Sequence, residues 1–217
     1  MRLFALFLAS VLLSTPAVAQ QRIVNVEERP VPWIINGCVI GPKASCAGAD
    51  LRFADLGNAD LAGADLHGAK LSRADMRHAN LTGANLEGAD MDGTDLSMAF
   101  LNGARLSGAS LRGASLAFVR AGHAIFDRAD LTAATLEKAL MKGATFRGAR
   151  LVHTDLLEAK FYEANLEGAM LDGVRIRFAV FQDAWMKDCS GCPMGWQTGD
   201  TVWQSEAKER RRNRLEP

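Results

Sequence analysis

"GADLRFADLGNADLAGADLHGAKL", residues 48–71, says one five-residue word five times. Stepping by five from Leu51 to Met186 visits 28 positions, and all are Leu, Met, Phe or Ile except Ala121. Two residues before each stands Ala, replaced only by Thr94, Val119, Thr154 and Val174. The word is therefore small, polar, large, then two more residues, and its phase never slips over about two thirds of the chain. A period of five matches neither the 3.6 of an α-helix nor the 3.5 of a coiled coil. In an extended segment, residues two apart point to one side. The small and large residues of each word then face inward together, and the polar residue between them faces water. The last two residues must turn the chain. Gly fills the second of them at twelve words, including 63, 83, 103 and 143, which suits a turn needing positive φ.

Words such as Ala49-Asp50-Leu51, Ala59-Asp60-Leu61 and Ala84-Asn85-Leu86 resemble those of the pentapeptide repeat family, over residues 47–188. The resemblance implies an all-β fold, a right-handed quadrilateral β-helix with four words to a coil. The 28 words then make about seven coils, stacked at about 4.8 Å into a rod of roughly 30–35 Å whose ends need caps. Ala121 interrupts the inward column of large residues, with the larger Val119 as its compensation. A kink or bulge is expected at residues 117–125.

Domain organisation follows from what flanks the words. Residues 1–19 have an early charge at Arg2, an apolar run from Leu3 to Leu13, and Ala17-Val18-Ala19, the pattern of a cleaved secretory signal. The run is too short to span a bilayer, and no transmembrane segment is expected in the mature chain. Residues 20–46 form an N-terminal cap, in which Asn36-Gly37 between apolar residues signals a hairpin. Residues 189–217 form a C-terminal cap and a tail with Arg or Lys at 208, 210, 211, 212 and 214. Trp185 at the border of this cap and Trp196 and Trp203 within it are read as plugs over the core.

Four cysteines in an exported chain point to disulfides. A rod of the implied length puts Cys38 and Cys46 about 30 Å from Cys189 and Cys192, beyond disulfide reach. This leaves Cys38 with Cys46 and Cys189 with Cys192, and it argues against one four-cysteine zinc site. Redox use of Cys189-Ser190-Gly191-Cys192 is the competing reading, against which Pro193 and Gly195 indicate a loop rather than a helix start.

Catalytic vocabulary is sparse. Counted modulo four words, His67, His78, His123 and His153 fall on four different faces, so they make no metal site and no acid–base pair. No metal, cofactor or catalytic residue is assigned. The Asp recurring between Ala and Leu reads as a short carboxylate bonding to nearby backbone beside a turn. One face differs from the rest. Words centred on 56, 76, 96, 116, 136, 156 and 176 have no corner Gly, carrying Asn58, His78, Met98, Phe118, Lys138, Glu158 and Phe178. The next face starts with Asp60, Asn80, Phe100, Arg120, Leu140, Lys160 and Val180. Met98, Phe100, Phe118 and Arg120 should cluster on one edge as a candidate partner-binding site.

Lys and Arg total 25 against 25 Asp and Glu, so the charge balance does not point to nucleic acid. Acidic residues outnumber basic ones nine to four over 47–95, against ten to twelve over 96–188. The expectation is a non-enzymatic structural or protein-interaction module, periplasmic or secreted, presenting regular faces to a protein or envelope partner. Some members of the family resemble DNA and bind topoisomerases. That alternative requires a strongly acidic surface and a cytoplasmic address. Thiol redox chemistry at the Cys-x-x-Cys is the second alternative.

Overall fold

The computed structural model describes residues 29–193. Residues 1–28, with the expected leader among them, together with Trp196, Trp203 and the basic stretch 205–214, lie outside them. Two strands open the described chain, β1 (Ile34–Ile35) and β2 (Cys38–Val39), paired antiparallel with Ile35 opposite Cys38. Asn36 and Gly37 both take positive φ, 47° and 80°, as a two-residue primed turn requires. The hairpin is tied to the coils by the Cys38–Cys46 bond and by Asn36, whose Nδ2 donates to the Asp50 carbonyl at 2.7 Å. Trp33 and Ile35 pack against the end of the core.

Parallel bridges then join residue i to residue i+20, from Ser45↔Asp65 to Met170↔Ser190, without interruption. Twenty residues per coil are four words, so the solenoid is four-sided. Its ladder positions, in fives from 45 to 190, make seven and a half coils. The word centred on Leu56 shows the bonding. Leu56 N donates to Asp75 O at 2.7 Å and Asn58 N to Arg77 O at 2.8 Å in the next coil, while Ala59 N closes the corner on Leu56 O at 3.0 Å. Asp75 N returns to Ala54 O at 2.9 Å.

Every corner from Lys43 to Asp188 has positive φ, and 17 of these residues are not Gly. The corner is thus set by the ladder, not by the residue occupying it. The large residues of all 28 words but Ile176 are buried, most of them wholly. Phe126 stacks on Phe146 at 4.8 Å and Phe161 on Phe181 at 5.1 Å between ring centroids. Thr94 and Thr154, standing where Ala is usual, are buried and donate to the Leu71 and Leu131 carbonyls at 2.9 and 2.8 Å. Their hydroxyls are thereby satisfied inside the rod.

Two expectations fail. No bulge interrupts residues 117–125. Arg120 bridges both Phe100 and Leu140, Phe118 N donates to Glu137 O at 2.8 Å, and Ala121 N donates to Leu140 O at 2.9 Å. Val119 and Ala121 are both fully buried, and together they carry one side-chain carbon fewer than an Ala–Leu pair. A deficit that small does not displace a backbone held by several bonds per word. Trp185, expected as a plug, instead occupies the outward ladder position opposite Asn165 and is 53% exposed. It is the middle letter of Ala184-Trp185-Met186, and strand alternation turns that letter to solvent.

Candidate functional site

The edge between the glycine-free corners and the next face carries a shallow groove of about 400 Å³. Met98 and Phe118 enter it from corners at φ 62° and 58°, one coil apart. Positive φ holds them clear of the inward column, and they are 46% and 45% exposed. Phe100 and Arg120 reach the groove from adjacent outward rungs, where they bridge each other. The four candidate residues are therefore brought together. The groove also takes in His78, Lys138 and Leu140, which complete the same two columns one coil away. Spacing alone had placed these three there, but only the first four had been read as the site.

The groove is apolar with cationic borders. The Arg120 guanidinium sits 5.3 Å from the centroid of Phe100, and the Lys138 ammonium 5.3 Å from that of Phe118, both within cation–π range. Lys138 also faces Glu137 at 3.3 Å and Glu158 at 4.0 Å. Among the described residues Arg120 has no carboxylate partner, and no carboxylate lines the groove. Such a surface can hold an apolar side chain between rings and pair an anion with the guanidinium.

At its N-terminal end the groove meets a second, polar hollow of about 330 Å³, with His78 common to both. Arg29 lies there. Its Nη2 donates to Gly57 O at 2.5 Å and faces Asp55 at 3.7 Å, and its guanidinium stacks over Trp33 at 3.9 Å. Nothing in the spacing of the words marked Arg29, because it lies outside them and reaches the coils only by folding back.

The remaining polar residues are spent on the coils. Asp55, Asp60 and Asp75 accept backbone N–H bonds from residues two further on, at 3.1–3.2 Å. Asp92 and Asp127 bind the arginine one coil along, Arg112 and Arg147. Burial pushes both carboxyls up, but the arginine side-chain and backbone donors outweigh it and hold them below the usual aspartate range. Arg52 holds the exposed Asp50 down at about 2. His67 pairs with Asp65 at 3.1 Å. Rings at His123 and His153 lie over Gly143 and Gly173, each one coil further along. Among the described residues no three His, Cys, Asp or Glu converge as metal ligands. Nor is any helix there long and apolar enough to cross a membrane. Cys189 is bonded to Cys192 where the described ladder ends.

Four-word coils, inward Ala and Leu, and regular open faces define a class, the right-handed quadrilateral β-helix. The chain belongs to the pentapeptide repeat family. The family model, Pentapeptide repeats, matches in eight copies that include residues 44–83, 69–108, 109–148, 124–161, 139–177 and 155–190. No curated protein matches the chain. Solved structures do. HetL, a pentapeptide repeat protein involved in heterocyst differentiation regulation from the cyanobacterium Nostoc, is 29% identical over 66% of this chain and 74% of its own, with a TM-score of 0.41. A trypsin-treated form of QnrB1, a plasmid-mediated fluoroquinolone resistance protein, is 16% identical, with a TM-score of 0.47. That match covers 58% of this chain and 64% of QnrB1, under two thirds of its length. A pentapeptide repeat protein from the Arabidopsis thaliana thylakoid lumen is 33% identical over 49% of this chain and 67% of its own, with a TM-score of 0.24.

Proposed function

We propose that this protein is a non-enzymatic interaction module acting outside the cytoplasm, and that it docks a protein or envelope partner through the edge of Met98, Phe100, Phe118 and Arg120. The observation that carries the reading is the run of seven non-glycine residues, Asn58 to Phe178, on the corners of one face, all at positive φ. A non-glycine residue in that conformation costs about 1 kcal/mol or more, and glycine occupies most corners of the two faces that follow. Along this edge the cost supports side chains that point outward. The middle of the run is apolar and exposed, and it is bordered by Arg120, which no acid among the described residues neutralises. An export address rests on the leader and on four cysteines that are bonded in two pairs.

The test is to export the tagged protein in its own host, cross-link, and compare captured partners with those of a Met98→Glu, Phe118→Glu variant. A partner lost in the variant supports the edge. Both substitutions are at exposed corners, so a variant with unchanged melting and unchanged capture would refute it.

A further inference from the structure

The geometry points to a second copy of this chain as an occupant of the face beside the groove. Two rods pack antiparallel about a two-fold axis that lies between the rungs of Phe100 and Arg120. The inference goes beyond the proposed function, because it fixes an occupant and a register that the docking edge by itself does not.

Coils stack in steps of twenty residues, so the rungs Asp60, Asn80, Phe100, Arg120, Leu140 and Lys160 form one column, with the corners Asn58 to Glu158 as a second column beside it. A two-fold axis in the contact plane, perpendicular to the rod, sets each column on itself and reverses the order of its members. With the axis between Phe100 and Arg120, Phe100 meets the partner's Arg120 and Asp60 meets the partner's Lys160. Symmetry makes each contact twice. Arg120 already lies 5.3 Å from its own Phe100 ring, and the partner's Phe100 supplies a second cation–π contact. In the corner column Met98 meets the partner's Phe118, so exposed apolar residues of the two copies cover each other. Across both columns this register sets no acid on an acid and no lysine or arginine on another.

Charge selects the register. The rung column runs from acid and amide at its N-terminal end to base towards the other, so only an antiparallel pairing brings opposite charges together. Asp60 is exposed, and among the described residues its carboxylate accepts from Ala62 N and Asn80 Nδ2 but faces no cation. Arg120 and Lys160 face no carboxylate there either, unlike Lys138, which is engaged by Glu137 and Glu158. Moving the axis half a coil towards the C-terminus sets Arg120 on the partner's Arg120. Half a coil the other way, Asp60 meets the partner's Leu140. A full coil that way gives Asp60 the partner's Arg120 but sets Phe118 on Asn58. Six rungs at ~4.8 Å, by a word about 15 Å across, cover roughly 400 Å² per copy, half the area of a standard interface, so the dimer is weak and a tighter partner displaces it.

The experiment is sedimentation equilibrium of the oxidised full chain from about 10 µM to about 1 mM, the range suited to a contact of this size. The parent should pass from monomer to dimer. Asp60→Lys and, separately, Lys160→Glu each put like charges opposite one another twice per dimer, so either alone should weaken association at least ten-fold. An equal mixture of the two variants should restore it to within about three-fold of the parent, because in the mixed dimer every acid again meets a base. A folding fault in either variant would not be cured by mixing. A parent that stays monomeric overturns the inference, as does an association that the single changes leave unaltered or that mixing fails to restore. Partner capture tests the proposed function separately. Capture lost in the Met98→Glu, Phe118→Glu variant upholds the docking edge even where the parent is monomeric, and a dimer restored by mixing stands even where capture survives that variant.

Discussion

Exchanging the inward pair Val119 and Ala121 for Ala and Leu should leave stability nearly unchanged, although each substitution alone weakens the rod. Both side chains are fully buried and belong to one word, two residues apart on the same side of the strand. Val119→Ala removes two buried carbons, worth about 1.6 kcal/mol of transfer free energy, and the cavity left behind adds about 1 kcal/mol. Ala121→Leu adds three carbons to a filled interior, and overpacking of that kind costs about 1–3 kcal/mol. Summed, the single changes would cost about 3.5–5.5 kcal/mol. The double variant carries one carbon more than the parent and restores the Ala–Leu pair found at Ala99 and Leu101 one coil earlier. It should lie within ~1 kcal/mol of the parent, a coupling of about 3–5 kcal/mol. Equilibrium urea unfolding of the four proteins measures it, and unfolding rates replace it where refolding is incomplete. Additive losses in the double variant would refute the view that Val119 fills the space Ala121 leaves.

Gly103→Ala isolates the corner conformation. Gly103 has φ +65° and an added Cβ meets nothing within 4 Å, so the loss should be the conformational cost alone, about 1 kcal/mol in urea unfolding. A neutral result would show that these corners tolerate side chains without strain. Acid should weaken the coils through Asp92 and Asp127. Their folded pKa values are lowered, so the unfolded chain takes up protons more readily. Their contribution is complete above the ordinary aspartate value of about 3.9 and is lost as pH falls through the lowered folded values. An Asp92→Asn, Asp127→Asn variant should be less stable at pH 7 and should lose less stability than the parent between pH 4 and pH 2. Parallel stability curves for the two proteins would contradict that assignment.

Much of this architecture is legible because the repeat is redundant. A word read once is weak, but 28 in one phase leave a single way to bury Ala and Leu together, and four words per coil then order every outward residue into columns. Met98, Phe100, Phe118 and Arg120 could be grouped for that reason, as could the hairpin at Asn36-Gly37, whose turn chemistry is local. The reading failed where it let one side chain overrule the backbone. Ala121 suggested a bulge, but ladder bonds every few residues outweigh the volume of about one carbon. It also failed at Trp185, where residue size suggested a plug and strand alternation turned the ring outward.

Sequence by itself determined the period, the inward and outward letters and the order of the columns, since each depends only on spacing along the chain. Tertiary structure alone decided that all thirty corners adopt positive φ whatever residue they hold, and that Arg29 folds back onto Gly57 at the end of the groove. Those features depend on contacts between residues twenty or more apart. Such contacts arise from stacking one coil on the next, which no single word encodes.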